Sequence, residues 1–430
     1  MKQIYALMLM LMMASVAFTG CVSDDSDDAK DTTTDSTEVL GCMDSTANNY
    51  NADATKDDAS CTFDATTEDV LGCMDSTANN YNADATKDDA SCTFDPVGSD
   101  TQSTLDAVIA AGNMKCGVKT SQFGMGYLAD DGTRSGLDIE YCRALAAAIG
   151  LDPDTEITYV LATGSNRFEL LASGDIDVLI RTTTWTTSRD ADLNADFAGI
   201  NFYDGQGMLV NMEAHPGADS VMDLDSATVC VGIGTTTEGN LADYFQVNSL
   251  AYTAVNSADA AAAKASFADG SCTAWTGDMS AMVAQKWGIE QAAEVTFDMA
   301  IMPELMSKEP LGAATRDNDA DWNDVVTWVW YGMLTAEELG VDSTNYASQN
   351  LSNPAYNRLL NSTLGLGTEA NPLSPTWMQS VLATTGNYAE AYDRSFCDGT
   401  GAFENCLIDR AGTQNAPYWA GGLQYAPPMR

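Results

Sequence analysis

The sequence predicts an α/β protein with a mostly parallel sheet, arranged as two consecutive units. From Thr104 onward, short apolar runs alternate with helical stripes. After about Met212 the rhythm starts again. The same order of helix, glycine stop, strand and polar loop also appears once in each half. Leu171–Val178 leads into Thr182–Thr186, and Phe267–Ala274 leads into Trp275–Asp278. In open α/β sheets, the loops at the carboxyl ends of strands are where ligands sit. Two such edges facing each other make a cleft.

In the first unit, Met114–Val118 reads as a buried strand. In Asp138–Ile149 the apolar residues Ile139, Cys142, Leu145 and Ile149 fall on one helical face. Glu156–Leu161 reads as a strand, Arg167–Ser173 as a helix stopped by Gly174, and Ile176–Ile180 as the next strand. In the second unit the strands are Thr228–Ile233, Leu250–Ala254 and Cys272–Trp275. They alternate with helices Glu238–Phe245, Ala258–Phe267 and Met279–Lys286.

Ahead of these units the chain changes character. Residues 1–20 carry Lys2 and an apolar run, Ile4–Phe18, that is too short to span a bilayer. This reads as a signal segment. It ends Phe18-Thr19-Gly20-Cys21, which points to cleavage and lipid attachment at Cys21, hence an extracytoplasmic protein held to a membrane by its N-terminus. Residues 21–38 are an acidic linker rich in Asp, Ser and Thr. The string VLGCMDSTANNYNADATKDDASCTFD then occurs at 39–64 and again at 70–95, before a linker at 96–103. Each copy is too short for a core of its own and needs a covalent staple. It resembles short cysteine-containing modules of secreted surface proteins and reads as a spacer. Asp53, Asp57, Asp84 and Asp88 are weak Ca²⁺ candidates, without the glutamate and glycine of an EF-hand loop.

Charge and composition exclude whole classes of function. With 62 acidic against 19 basic residues and a net charge of −43, the chain lacks the basic footprint that nucleic acid or anionic lipid requires. A single histidine, His215 in a turn-like stretch, rules out multi-histidine metal sites. No cofactor is expected. Setting Cys21 aside leaves ten cysteines, an even number suited to an oxidising compartment. Cys42 with Cys61 and Cys73 with Cys92 lie within the repeats. Neighbourhood in the expected fold pairs Cys116 with Cys142, Cys230 with Cys272, and Cys397 with Cys406.

Three stretches carry chemistry. Thr182–Asp190 offers hydroxyls, backbone N–H groups and the guanidinium of Arg189, which suits a carboxylate; the residues alone equally allow a surface Arg189 paired with Asp190 or Asp192. Gly234-Thr235-Thr236-Thr237-Glu238 contains a capping box and also opens a helix whose N-terminus suits an anion. Asp278 precedes a helix, either as an ordinary N-cap or as a carboxylate turned into the cleft toward an ammonium group. Together they would read the two ends of a zwitterion.

Four segments in order, 177–210, 229–245, 308–319 and 421–430, are similar to stretches of general L-amino-acid-binding proteins of ABC importers, in the polar-amino-acid family of solute-binding proteins. The resemblance implies a two-lobed periplasmic-binding-protein-like fold. Lobe one would be 104–211 plus 312–430 and lobe two 212–311, with crossovers near 209–213 and 308–311. It assigns the ligand α-carboxylate to Arg189, Thr182, Thr184, Thr235 and Thr236, and the α-ammonium to Asp278. Trp185, Phe123 and Tyr127 become candidates for packing the ligand side chain. Free amino acid and a membrane permease are the implied partners. A dehydratase-type enzyme on the same scaffold, or a sensor or adhesin acting through its repeats, are the rival readings.

Overall fold

The computed structural model of the protein describes residues 38–63, 70–75, 78–93 and 103–430. The expected signal segment, the lipid-attachment residue Cys21 and nearly all of both linkers lie outside the described residues. The chain divides into two compact units, Met1–Glu68 and Asp69–Arg430.

Within the first unit, β1 (Leu40–Gly41) pairs in parallel with β2 (Lys56–Asp57), and Cys42–Cys61 closes the module. In the larger unit the second copy repeats this, with β3 (Leu71–Gly72) on β4 (Lys87–Asp88) and Cys73–Cys92. Two of the aspartates named for Ca²⁺ take part in their own turns: Asp57 accepts from the Ala59 N–H and Asp88 from the Ala90 N–H, while the backbone N–H groups of Asp53 and Asp84 donate to Asn51 and Asn82. Among the described residues no three acidic, cysteine or histidine side chains gather as a metal site.

The rest of the larger unit is a mixed sheet flanked by helices. Helix α1 (Thr104–Ala111) precedes β5 (Met114–Val118), and β6 (Ser121–Gln122), β7 (Gly126–Leu128) and β8 (Arg134–Ser135) form a small antiparallel ribbon. Then come α2 (Leu137–Ala148), β9 (Ile157–Leu161), α3 (Arg167–Ser173), β10 (Val178–Thr184), α4 (Thr187–Asp192), β11 (Ala195–Phe197) and the long β12 (Phe202–Asn211). The second half follows as β13 (Ala227–Gly232), α5 (Thr236–Val247), β14 (Tyr252–Ser257), α6 (Ala260–Ala268), β15 (Ala274–Asp278), α7 (Met279–Ala292), β16 (Met299–Ile301) and β17 (Lys308–Arg316). Helices α8 (Ala320–Glu338), α9 (Pro354–Leu360), α10 (Trp377–Thr384) and α11 (Tyr388–Phe396) complete it. The principal strand order is β14-β13-β15-β12-β17-β10-β5-β9.

Strands β9, β5 and β10 are mutually parallel, as are β14, β13 and β15. Between these groups run β12 and β17, each antiparallel to its neighbours. They make the joint. Phe202–Gly205 pair with β17, whereas Gln206–Val210 pair with β15, so the ladder changes partner between Gly205 and Gln206. Strand β12 runs unbroken through this handover to Asn211, within the crossover expected at 209–213.

The apolar stripes close separate cores on either side. Helix α8 buries Trp322, Val325, Val326, Val329, Trp330 and Met333 against α2 and the tail helices, whose Trp377, Met378, Val381, Tyr388, Tyr392 and Phe396 join the same cluster. Each such side chain contributes roughly 1.5–3 kcal/mol by leaving water. The second lobe has two smaller clusters, one around Val229, Leu241 and Phe245, the other around Phe267, Trp275 and Ile289. Cys116–Cys142 staples β5 to α2, Cys230–Cys272 ties β13 to the turn before β15, and Cys397–Cys406 closes a short loop after α11.

Candidate functional site

A cavity of about 120 Å³ lies between the lobes. From the first lobe Lys119, Gln122, Arg167, Arg181, Thr182, Thr184 and Arg189 line it; from the second, Thr235, Thr236, Thr237, Trp275, Asp278 and Met282. The sequence-derived residues Arg189, Thr182, Thr184, Thr235, Thr236 and Asp278 are therefore brought together. Trp185, Phe123 and Tyr127 do not line the cavity. Trp185 lies parallel to Phe197 at 5.5 Å, and Phe123 stacks on Tyr127 at 3.8 Å with Trp287 edge-on at 4.5 Å, so their faces are taken by one another.

Strand β10 delivers the first wall. Its register with β17 slips between Leu179 and Thr183, and within that irregularity Thr182 has φ +41°. Positive φ is an outlier for a β-branched residue, a strain typical of ligand-facing backbone. The Thr182 hydroxyl is buried without a partner among the described residues. Thr186 caps α4 through the Arg189 N–H, so the helix starts just beyond the strand and carries Arg189 back over it. The guanidinium donates to the Thr184 carbonyl at 2.9 Å and lies over Phe168. Arg189 is 7 % exposed, so the surface alternative with Asp190 or Asp192 fails.

The second wall is built from two helix starts. Thr235 caps α5 by accepting from the Glu238 N–H at 3.3 Å. The return arm of the expected box lands one residue early, with Glu238 accepting from the Gly234 N–H at 3.0 Å. Thr235, Thr236 and Thr237 at the start of α5 line the cavity, and a helix N-terminus there favours negative charge. Asp278 occupies the N-cap position of α7 but makes no capping hydrogen bond. Asp204 of β12 performs that role, its carboxylate accepting from the N–H groups of Ser280 and Gly205. Capping by the joint strand leaves Asp278 free to face the cavity. Burial pushes its carboxyl above the usual range against the pull of Lys119. Burial, then the charge of Asp278, raises Asp204 to about 7.

Four polar side chains that sequence reading missed, Glu309, Gln122, Gln285 and Arg167, tie the lobes together. Glu309, fully buried on β17, accepts from Thr184 of the first lobe and from Thr236 and Asn240 of the second, and also from Ser307. Gln122 donates to Ser280 at 2.9 Å, Gln285 to the Ser121 carbonyl at 2.9 Å, and Arg167 to the Gly234 carbonyl at 3.3 Å. Gln206 ties β12 to Thr237 and Thr276, both at 2.9 Å. At the rim, a Cβ on Gly164 would sit 2.7 Å from the Ile233 carbonyl oxygen, so only glycine permits this approach of the lobes. The signal for Arg181 was present as a single charge in the run Val178–Thr184; Glu309, beside Lys308 and Pro310, carried none. His215 stands away from the cavity, half-buried and bonded to Thr273 at 2.8 Å.

Two lobes on an antiparallel joint, with a polar cavity shut between them, define a solute-binding protein. The chain belongs to the bacterial extracellular solute-binding proteins of family 3, which it matches over residues 114–333. It is similar to the glutamate/glutamine/aspartate/asparagine-binding protein of Rhodobacter capsulatus, with 40 % identity over 76 % of this chain and 94 % of that one. It is also similar to the general L-amino acid-binding periplasmic protein of Rhizobium johnstonii, with 37 % identity over 76 % and 93 %. A periplasmic binding protein from Brucella ovis, solved with glutathione bound, shares 38 % identity and a TM-score of 0.69 over 76 % of this chain and all of the other.

Proposed function

We propose that this chain is the extracytoplasmic binding component of an amino-acid importer, capturing free L-amino acids between its lobes and presenting the closed form to a membrane permease. The observation that carries this reading is that Arg189 and Asp278 line one cavity from opposite lobes. Arg189, the Thr182–Thr184 backbone and the α5 start would hold the α-carboxylate, and Asp278 the α-ammonium. A ligand that bridges the walls binds the closed form better than the open one and so shifts the population toward it. The names of the Rhodobacter and Rhizobium relatives support amino acids as the ligand class.

The lobes would be 104–211 with 312–430, and 212–311. Cys21 would carry the lipid, and the repeats would hold the cleft away from the membrane. No covalent chemistry is needed in this role, since the evident acids are committed: Asp278 to the ligand, and Glu238 to the Gly234 N–H. Calorimetric titration of the full chain with the twenty amino acids tests the reading. Saturable binding of at least one, lost in Arg189→Ala, is expected. Binding of none, turnover of any, or full retention by the variant overturns it.

A further inference from the structure

The cavity carries more positive charge than the two ends of a neutral amino acid can use. Lys119, Arg167, Arg181 and Arg189 all line it. Against these four cations stand Asp278 in the cavity, Asp138 fully buried within the field of Lys119 and Arg181, and Glu309 at the back. Asp204 lies behind Asp278, and mutual repulsion in that pair, added to burial, keeps it from carrying two full charges at neutral pH. Asp259, the other acid in the lining, is exposed and occupied in capping α6 through the Ala262 N–H. The balance of the walls is positive.

Arg181 is the least satisfied of the cations. It is only 8 % exposed, yet its guanidinium donates no hydrogen bond to any described residue, and its Nε is buried without a partner. The Nε of Arg167, a residue 2 % exposed, is likewise unpaired. Lys119 has a single partner, Gln122, at 2.7 Å. Desolvation draws Arg181 down to about 10 and Lys119 to about 8. Asp278 and Asp138 attract Arg181 through space, but neither is hydrogen-bonded to it; burying a cation without such a partner is costly, and the arrangement is sensible where the partner arrives with the ligand. Arg189 and the α5 start already answer the α-carboxylate. The cavity volume is roughly ten times the ~10–15 Å³ that a single water requires, room enough for one amino acid.

We propose that Arg181, flanked by Lys119 and Arg167, is a second carboxylate receptor that makes the site selective for amino acids with an anionic side chain, aspartate and glutamate, over their amides and over neutral or basic amino acids. This rests on the amino-acid-binding reading above. The guanidinium fork suits a carboxylate bidentately, whereas an amide would turn an N–H₂ group toward cations.

The test is titration of the full chain, wild type and Arg181→Gln and Arg181→Lys, with glutamate, aspartate, glutamine, asparagine, alanine and lysine. Wild type is expected to bind glutamate or aspartate at least about tenfold more tightly than the matching amide. Arg181→Gln should weaken the acid about 100-fold and change the amide by less than about threefold, with Arg181→Lys in between. Amides binding as tightly as acids to wild type overturns the proposal while leaving amino-acid binding intact. So does an equal loss for acid and amide in Arg181→Gln, which would place Arg181 on the shared α-carboxylate. If Arg181→Gln does not fold, the wild-type ratio and Arg181→Lys decide. Failure of every amino acid to bind removes the underlying function as well.

Discussion

Replacing Asp278 with asparagine separates what this side chain does for the ligand from what it does for the fold. The carboxylate makes no capping bond, Asp204 takes the Ser280 N–H of α7, and burial holds the charged form of Asp278 at a disadvantage. Removing one partner of a buried charge pair costs about 2–5 kcal/mol of binding, so the ligand should bind about thirtyfold to a few thousandfold more weakly in Asp278→Asn. Stability should move the other way. The neutral amide keeps the shape of the side chain while removing both its desolvation penalty and its repulsion of Asp204. The attraction to Lys119 is lost, but the upward shift of the Asp278 carboxyl shows that the penalties outweigh it. Calorimetry and thermal melting of the ligand-free protein measure the two effects. Unchanged affinity refutes the ammonium assignment. Weaker binding together with a lower melting temperature refutes the claim that Asp278 has no structural duty.

Acidification should act on binding and stability with opposite signs. Asp138 is raised to about 6 by burial, so the folded state binds more protons than the unfolded one between the ordinary carboxylate range and pH 6. Going from pH 7.5 to 5 should therefore stabilise the ligand-free protein by about 1 kcal/mol from Asp138 alone, with Asp204 adding in the same direction; amino-acid affinity should fall as acid protonates Asp278, whose carboxyl burial holds above the usual range. Melting and titration across that pH series check both slopes. Thr182→Gly relieves the positive φ and should raise stability by about 1 kcal/mol, read from denaturant midpoints at constant m. A Cys230→Ala/Cys272→Ala double variant opens a loop of 42 residues and should cost about 4 kcal/mol in urea unfolding under oxidising conditions, with ligand affinity below the melting range unchanged.

The sequence made the helices and the parallel strands legible because their apolar periodicity is undisturbed: α3 runs over the expected Arg167–Ser173. The joint was harder to see. Strand β12 contains Asp204-Gly205-Gln206-Gly207, which interrupts any apolar alternation, and β17 carries Pro310 and Gly312, residues that argue against a strand in isolation. Both hold as strands because each is paired along its length by neighbours far away in sequence. The site divided in the same way. Arg189, Thr235 and Asp278 belong to polar stretches at or just beyond strand ends, where composition announces them. Arg167, Arg181 and Glu309 sit within regular elements and Lys119 just past the end of β5, and only the tertiary fold shows that they surround one cavity. The aromatic candidates failed for a related reason, since a ring is equally at home against another ring.

The three disulfides of the lobes each fall to one side or the other of the β12/β17 joint. Cys116–Cys142 and Cys397–Cys406 stiffen one jaw, Cys230–Cys272 the other, and none reaches across. Oxidation outside the cell can thus toughen each half against heat and proteases without adding friction to the swing between them, so that durability and motion are set by different parts of the same chain.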